Sequence, residues 1–170
     1  TNYTKREIRI LKMNRDNFNF TTVGMIVKDY ILNFNDEKIT LPIWQRGQQD
    51  VWTDEYREKL IVSMLKGIDI PKIYIGNILE SGKIIIDGGH RSRAIRDYMK
   101  NNYSVDLEGE RVFYSKDPLS PGIRNRRIMT DNERDIFDNY CLTITEYKNI
   151  TEIQSRCIFN RLQNAAPMTM

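Results

Sequence analysis

The stretch from Ile84 to Arg93 combines residue types that bind phosphate groups when they follow one another in this order. An apolar, β-branched run ends in the acid Asp87, two glycines come next, and His90 and Arg91 follow them. A helix that begins directly after the glycines leaves the backbone N–H groups of its first turn unpaired and presents the positive end of its dipole. Glycines let an anion approach the backbone, and arginine adds a charge-assisted contact. The pattern is therefore typical of a phosphate site at a strand–helix junction.

Asp87, His90 and Arg91 are the candidate catalytic residues of this junction. Asp87 could hold a Mg²⁺ ion that bridges phosphates, or accept a proton from an attacking hydroxyl or water. His90 could act as a general acid or base, or donate to a phosphate. A plain strand-to-helix turn in which Asp87 caps the helix remains an alternative, because a Gly-Gly turn alone is a weak motif. The phosphate-binding candidates here are Gly88, Gly89, Arg91 and Ser92.

A second cluster places Gln45 and Arg46 between two tryptophans, Trp44 and Trp52. Arg46 could grip a phosphate, and either tryptophan could stack on a base. The alternative is that the tryptophans are core residues and Arg46 forms a surface ion pair. Gln45 and Arg46 are thus further candidates for phosphate binding.

Two other groups of residues are weaker candidates. Arg124, Arg126 and Arg127 form a charge run in an expected loop and could contact a nucleic-acid backbone, although a solvated loop explains them as well. Asn160 and Arg161 lie on an expected amphipathic helix. They would belong to the phosphate site only if that helix turned them toward the glycines.

Composition limits the classes of function. The chain has 170 residues, of which 40% are hydrophobic and 29% charged, so it is expected to form one domain. No apolar run approaches the roughly 18 residues of a membrane span, and the first residues are polar, so we expect neither a membrane helix nor a secretory signal but a cytoplasmic protein. A net charge of +3 is too small to indicate a nucleic-acid partner.

The sequence disfavours histidine- and cysteine-based metal sites. It contains one histidine, His90, and two cysteines, Cys141 and Cys157. A closed zinc site needs four such ligands, and the common histidine-rich nuclease motifs need more than one histidine. The cysteines are expected to be small buried residues in a reducing compartment.

Periodicity, caps and turn residues predict the elements that position these side chains. Strands are expected near 8–13, along the extended segment 38–44, at 73–78, 83–86 and 141–147, and in a hairpin over 105–114. Helices are expected after Thr21 or Thr22, from Thr53 to the residue before Gly67, over 90–101, and after two capping boxes, Thr130 with Glu133 and Thr151 with Gln154. The fold class is therefore α+β, a small mixed sheet flanked by helices.

Several motifs in order resemble one known family. They are P-x-W-Q-R, I-P-x-I-Y-I-G, I-I-D-G-G-H-R and, near the end, I-F-N-R-L-Q-N. From about Leu41 to Met170 the chain resembles the ParB/sulfiredoxin-like superfamily, and within it the N-terminal domain of GmrSD-type modification-dependent restriction proteins, whose hallmark is D-G-Q-Q-R. The resemblance implies an α+β domain with a nucleoside triphosphate site, coupled to DNA recognition or to a nuclease.

The resemblance assigns positions in this chain. Asp87, Gly88 and Arg91 match the D-G-x-x-R positions, and Gln45 and Arg46 match the Q-R pair. The late family segment is matched by 159–162, which includes Asn160 and Arg161. The chain departs from the family hallmark at two positions, where Gly89 and His90 replace the two glutamines. The His-Arg ending also resembles the D-G-H-H-R motif of free-serine kinases in the same superfamily.

Taken together, the sequence predicts nucleotide binding and Mg²⁺-dependent hydrolysis in a restriction, defence or other DNA-processing system. The alternatives are a non-enzymatic DNA-binding module and a kinase-like phosphotransferase acting on a small hydroxyl compound. A single domain over 1–170 is expected, with 1–37 as an extension and first helix and 38–170 as the family-like core. The expected partners are a nucleotide, DNA, and a C-terminal effector or nuclease domain or a separate subunit. The apolar end of the chain favours a further C-terminal segment.

Overall fold

The apolar, β-branched runs of the sequence form strands, and the capped amphipathic runs form helices. The computed structural model describes residues 4–6, 18–45, 53–79, 81–118 and 125–164. The strands are β1 (Phe20–Ile26), β2 (Ile39–Thr40), β3 (Ile73–Ile78), β4 (Gly82–Asp87), β5 (Val105–Leu107), β6 (Glu110–Phe113), β7 (Arg126–Ile128) and β8 (Cys141–Ile150). The helices are α1 (Val27–Asn35), α2 (Asp54–Leu65), α3 (Gly89–Met99), α4 (Asp131–Asp138) and α5 (Glu152–Asn164).

The strands of the described ranges make two mixed sheets. The larger has five strands in the order β1-β8-β3-β4-β2, and the smaller has three in the order β5-β6-β7. Each sheet contains both antiparallel and parallel neighbours: β3 pairs antiparallel with β4 but parallel with β8, and β6 pairs antiparallel with β5 but parallel with β7. Mixed sheets with helices packed on them confirm the α+β fold class.

The strand that leads to the candidate site is buried on both faces. Ile85 packs into the larger apolar cluster, which also takes side chains from α1 to α4. Ile84 and Ile86 face the smaller cluster, where α5 contributes Ile158 and Phe159. A strand covered on both faces is expected to be apolar throughout rather than alternating, which explains the isoleucine run. The Asp87 end of β4 is thereby held rigidly between two layers of helices.

One predicted helix boundary is wrong. Residues 20–26 form β1, which pairs antiparallel with β8, and the helix begins only at Val27. The apolar residues from Val23 onward fit a helical spacing, but hydrogen bonds to β8 are available only once a strand more than a hundred residues away lies alongside. The Thr22 and Thr145 hydroxyls, 2.9 Å apart, join the two strands. Tertiary pairing therefore overrides the local pattern.

Most other elements agree with the predictions. The helices over 90–101 and after Thr53, Thr130 and Thr151, the strands at 73–78, 83–86 and 141–147, and the hairpin are confirmed, with ends shifted by up to three residues. The segment 38–44 is extended only at 39–40 and is followed by a 3₁₀ turn at 43–45. The expected strand near 8–13 lies outside the described residues. No helix in the described part of the chain is long and apolar enough to cross a membrane.

The expectation that both cysteines are buried is wrong. Cys141 is exposed and Cys157 is partly exposed, and neither forms a disulfide within the described residues. Cys141 is the first residue of β8 and pairs with Ile26 at the end of β1.

Candidate phosphate-binding site

The junction between β4 and α3 is shaped by a left-handed glycine. Gly88 has φ 105° and ψ 14° and occupies the N-cap position of α3, which begins at Gly89. No side chain caps this helix, so the alternative in which Asp87 serves as the cap is wrong. The first turn of α3 consequently has no side-chain cap, and the positive end of the helix dipole lies at the junction, as the sequence predicted.

Gly89 allows the segment before α2 to pack directly on the junction. A Cβ atom at this position would lie 2.6 Å from Leu41 Cδ1 and 3.3 Å from Gln45 Oε1. The Gln45 amide is buried and donates from Nε2 to the carbonyl oxygens of Ile85 and Ile86, at 2.6 and 2.5 Å. Gln45 therefore anchors its own segment to the end of β4 through hydrogen bonds. The cluster around Gln45 and the Asp87–Arg91 cluster consequently lie next to each other.

A cavity of about 250 Å³ opens at this junction. Its lining residues come from the junction, from the segment that contains Gln45 and from α5: Asp87, Gly88, Gly89, His90, Arg91 and Arg93, with Leu41, Gln45, Phe159 and Gln163. The described lining thus gathers two arginines, one histidine and one carboxylate around the first turn of a helix.

Arg91 is held in place at the cavity by two acceptors. Its Nη2 donates to the Lys72 carbonyl at 2.8 Å and lies 3.6 Å from Asp87 Oδ2. The Arg91 side chain is 13% exposed and that of Asp87 is 30% exposed, so both are partly shielded from water and still reachable by a ligand. A charge-assisted contact is stronger in such a shielded place than at an open surface.

His90 is paired with a residue that the sequence analysis missed. Arg93 Nη2 lies 2.9 Å from His90 Nδ1. Burial, followed by the positive charges of Arg93 and Arg91, holds the pKa of His90 below its usual range, and Asp87 opposes this shift. The i,i+3 spacing of His90 and Arg93 on a predicted helix was the signal that could have indicated the pair.

Three of the predicted binding residues lie elsewhere. Ser92 is fully buried; its hydroxyl donates to the Gly88 carbonyl at 2.8 Å and meets the Tyr30 hydroxyl at 2.7 Å, so it ties α3 to α1 and does not line the cavity. Asn160 and Arg161 are not among the described residues that line the cavity, whereas Phe159 and Gln163, one helical turn apart, are.

Trp44, one of the two tryptophans of the second cluster, packs against α5. Trp44 is partly buried and packs edge-on against Phe159, with ring centroids 5.2 Å apart. This supports the interpretation of Trp44 as a core residue rather than a stacking platform. Arg46, Trp52 and Arg124 lie outside the described residues.

Two arginines of the predicted loop, Arg126 and Arg127, have charges that are paired. Arg126 and Arg127 belong to β7, not to a solvated loop. Arg126 pairs with Asp117 at 2.7 Å, and Arg127 pairs with Glu110 and Glu133, each at 2.6 Å. These carboxylates lower the attraction that either arginine could exert on a phosphate backbone.

Protein ligands for a metal are sparse near the candidate site. Over the described ranges, no group of three or more His, Cys, Asp or Glu side chains converges as a metal site would require. Asp87 is the acidic residue among those of the described chain that line the cavity. Mg²⁺ commonly takes one or two protein carboxylates and completes its shell with phosphate oxygens and water, so Asp87 is compatible with an ion that arrives with phosphates.

The fold and the site together define a mixed α+β domain with a candidate anion site at a strand–helix junction. Residues 27–166 match the family model of the GmrSD restriction endonuclease N-terminal domain, and the chain belongs to this family. The comparisons with curated proteins and with solved structures give no significant match. Family membership confirms the resemblance to the N-terminal domain of GmrSD restriction proteins and places the chain in the context of restriction systems.

Proposed function

We propose that this domain binds the phosphate groups of a nucleoside triphosphate at the β4–α3 junction and hydrolyses it. The observation that carries the proposal is a cavity in which Arg91, Arg93 and the Gly88–Gly89 backbone surround the start of α3, with Asp87 beside them. Helix N-termini with flanking arginines bind phosphate because donors and positive potential converge on the anion.

The size of the cavity fits part of a nucleotide. About 250 Å³ is below the roughly 300–1,000 Å³ of sites for whole drug-sized ligands, and suits a phosphate tail. An adjoining cavity of about 330 Å³ is also lined by Leu41 and Arg93, and by Phe34 and Arg96. The sugar and base would occupy this second space.

Each residue of the junction receives a role in this proposal. Arg91, oriented by the Lys72 carbonyl, neutralises phosphate charge, and the Gly88–Gly89 backbone allows close approach. Asp87 orients the attacking water and takes its proton. A bound Mg²⁺ would neutralise charge on the phosphates and would take Asp87 as its protein ligand.

The restriction context suggests how the reaction is used. We propose that nucleotide binding or hydrolysis here controls an effector or nuclease domain, or a separate subunit, that acts on DNA. The description of the family as the N-terminal domain of a restriction endonuclease supports this division of labour. The DNA-binding alternative finds less support, because Arg126 and Arg127 already pair with carboxylates.

The test compares two aspartates that are equally exposed. Asp87 and Asp97 each have a side chain that is 30% exposed and lies near an arginine. Asp97, however, is close to the C-terminal end of α3, whereas the candidate site is at the N-terminal end. Asp87→Asn should reduce Mg²⁺-dependent hydrolysis of ATP, GTP, CTP or UTP by about 100-fold or more, whereas Asp97→Asn should leave it near the wild-type rate. Phosphate release is the measurement, with and without DNA.

Binding is measured separately from turnover. Calorimetric titration with inorganic tripolyphosphate and with each nucleoside triphosphate should show binding to the wild type and to Asp87→Asn, and weaker binding to Arg91→Ala. Thermal unfolding checks that the variants are folded. The proposal is wrong if the wild type binds none of these compounds at millimolar concentration, or if Asp87→Asn turns over as fast as the wild type.

A further inference from the structure

The contact between Arg93 and His90 determines where the imidazole proton lies. A guanidinium has only N–H donors and stays charged, so the Nη2–Nδ1 contact of 2.9 Å requires Nδ1 to accept. The Nδ1 lone pair is then engaged. A neutral imidazole carries one proton, and it must therefore lie on Nε2.

The groups around His90 keep the imidazole neutral. Among the described residues, the charged ones that line the cavity are Arg91 and Arg93 on α3 and Asp87 at the end of β4. The other lining side chains, from the Gln45 segment and α5, are uncharged. The two arginines and burial outweigh the single carboxylate, so the pKa of His90 lies below its usual range.

In the described part of the chain, Arg93 contacts the His90 imidazole and not a carboxylate. Its neighbours on α3 each lie near an acid: Arg91 is 3.6 Å from Asp87, and Arg96 is 3.0 Å from Asp97. Within the described ranges Arg93 belongs to no ion pair, and its Nη1 is shielded from water without a partner. A desolvated guanidinium directed at one imidazole restricts the rotation of that ring.

We propose that Arg93 is the positioning residue that makes His90 a hydrogen-bond donor to the ligand through Nε2–H. The proposal rests on the proposed function for the identity of the ligand, a phosphate group. It excludes the general-base role for His90, because one nitrogen accepts from Arg93 and the other carries the proton. Proton removal in the site is then the task of Asp87.

The test of the pairing needs no ligand. His90 is the only histidine of the chain, so its imidazole signals in nuclear magnetic resonance spectra are unambiguous. The nitrogen chemical shifts report the tautomer, and their pH dependence reports the pKa. Wild type is expected to show the Nε2–H tautomer with a pKa below about 6.5.

Two arginine-to-methionine variants on α3 distinguish the effect of the Arg93–His90 contact from the effect of removing any positive charge from this helix. Arg93→Met should raise the pKa of His90 and allow a mixture of tautomers, whereas Arg96→Met, which removes the Asp97 partner, should preserve the tautomer. Arg93→Lys should restore part of the wild-type behaviour. A proton on Nδ1 in the wild type, or a tautomer and pKa unchanged in Arg93→Met, would overturn the proposal.

A second measurement tests donation to the ligand. His90→Gln keeps an Nε2 donor, and His90→Ala does not. Tripolyphosphate affinity should fall in the order wild type, His90→Gln, His90→Ala, with about a tenfold loss for His90→Ala. Equal losses in both variants would contradict the donor role. Absence of tripolyphosphate binding to the wild type would overturn the proposed function, while the tautomer measurement would still decide whether Arg93 positions His90.

Discussion

At the scale of single residues, Gly88 and Gly89 are both glycine for different physical reasons. Gly88 adopts a left-handed conformation, which costs a residue with a Cβ about 1–2 kcal/mol. Gly89 is helical, but a Cβ there would lie 2.6 Å from Leu41 Cδ1. The sequence indicated a turn at these two residues, whereas the second reason depends on a segment more than forty residues earlier.

Replacement of Gly88 should destabilise the protein more than replacement of another left-handed glycine. Gly67, at the end of α2, has φ 69°, and a Cβ there would meet no atom within 4 Å, whereas a Cβ on Gly88 would lie 3.0 Å from Ile73 Cγ1. Gly67→Ala should lower the free energy of unfolding by about 1–2 kcal/mol, and Gly88→Ala should lower it further. Urea denaturation measures both. Equal losses would show that the contact with Ile73 is unimportant.

At the scale of elements, helices with similar start signals in the sequence differ in how their first turns are capped. Thr130 accepts from the Glu133 amide while the Glu133 side chain accepts from the Thr130 amide, which completes the capping box of α4. Thr53 occupies the N-cap of α2 but its side chain makes no capping hydrogen bond. The two helices were predicted from similar start signals, and only the three-dimensional geometry distinguishes them.

Removal of the two threonine side chains should therefore have unequal effects. Thr130→Ala deletes a cap hydrogen bond and should lower the free energy of unfolding by about 1 kcal/mol, the usual cost of a lost N-cap. Thr53→Ala deletes no such bond and should cost clearly less. Thermal unfolding of both variants is the measurement, and a larger loss for Thr53→Ala would contradict this account of the caps.

At the scale of the whole molecule, one ion-pair network joins the smaller sheet to α4. Arg127 on β7 contacts Glu110 on β6 and Glu133 on α4. The hydrogen bond from Arg127 is the largest cause of a Glu133 pKa lowered to about 2, with Thr130 adding to it and burial opposing it. A carboxyl group that titrates lower in the folded protein than in the unfolded chain stabilises the fold above the unfolded pKa.

The contribution of Glu133 should disappear in acid. Its stabilisation is complete above the ordinary glutamate pKa of about 4.3 and is lost as the pH falls toward the folded value of about 2. The difference in unfolding free energy between wild type and Glu133→Gln should therefore narrow over this range. Glu152→Gln, which breaks an exposed pair with Arg156 on α5, should show a small difference at neutral pH. If the difference in unfolding free energy between wild type and Glu133→Gln stayed constant over this pH range, the stabilising role of the Arg127–Glu133 ion pair would be contradicted.

The sequence by itself determined the features that depend on neighbouring residues. These are the isoleucine strand, the glycine junction with Asp87 and Arg91, the hairpin, the capped helices and the family motifs. Each follows from backbone conformation, periodicity or a motif within a few positions, so no knowledge of distant contacts was needed.

Only the tertiary structure decided which distant residues complete the site. It converted 20–26 into a strand, brought Gln45 onto the end of β4 and turned Phe159 and Gln163 of α5 toward the cavity in place of Asn160 and Arg161. It also buried Ser92 against Tyr30. The physical reason is that sheet pairing and side-chain burial are settled between segments far apart in the chain, where local propensity carries no information.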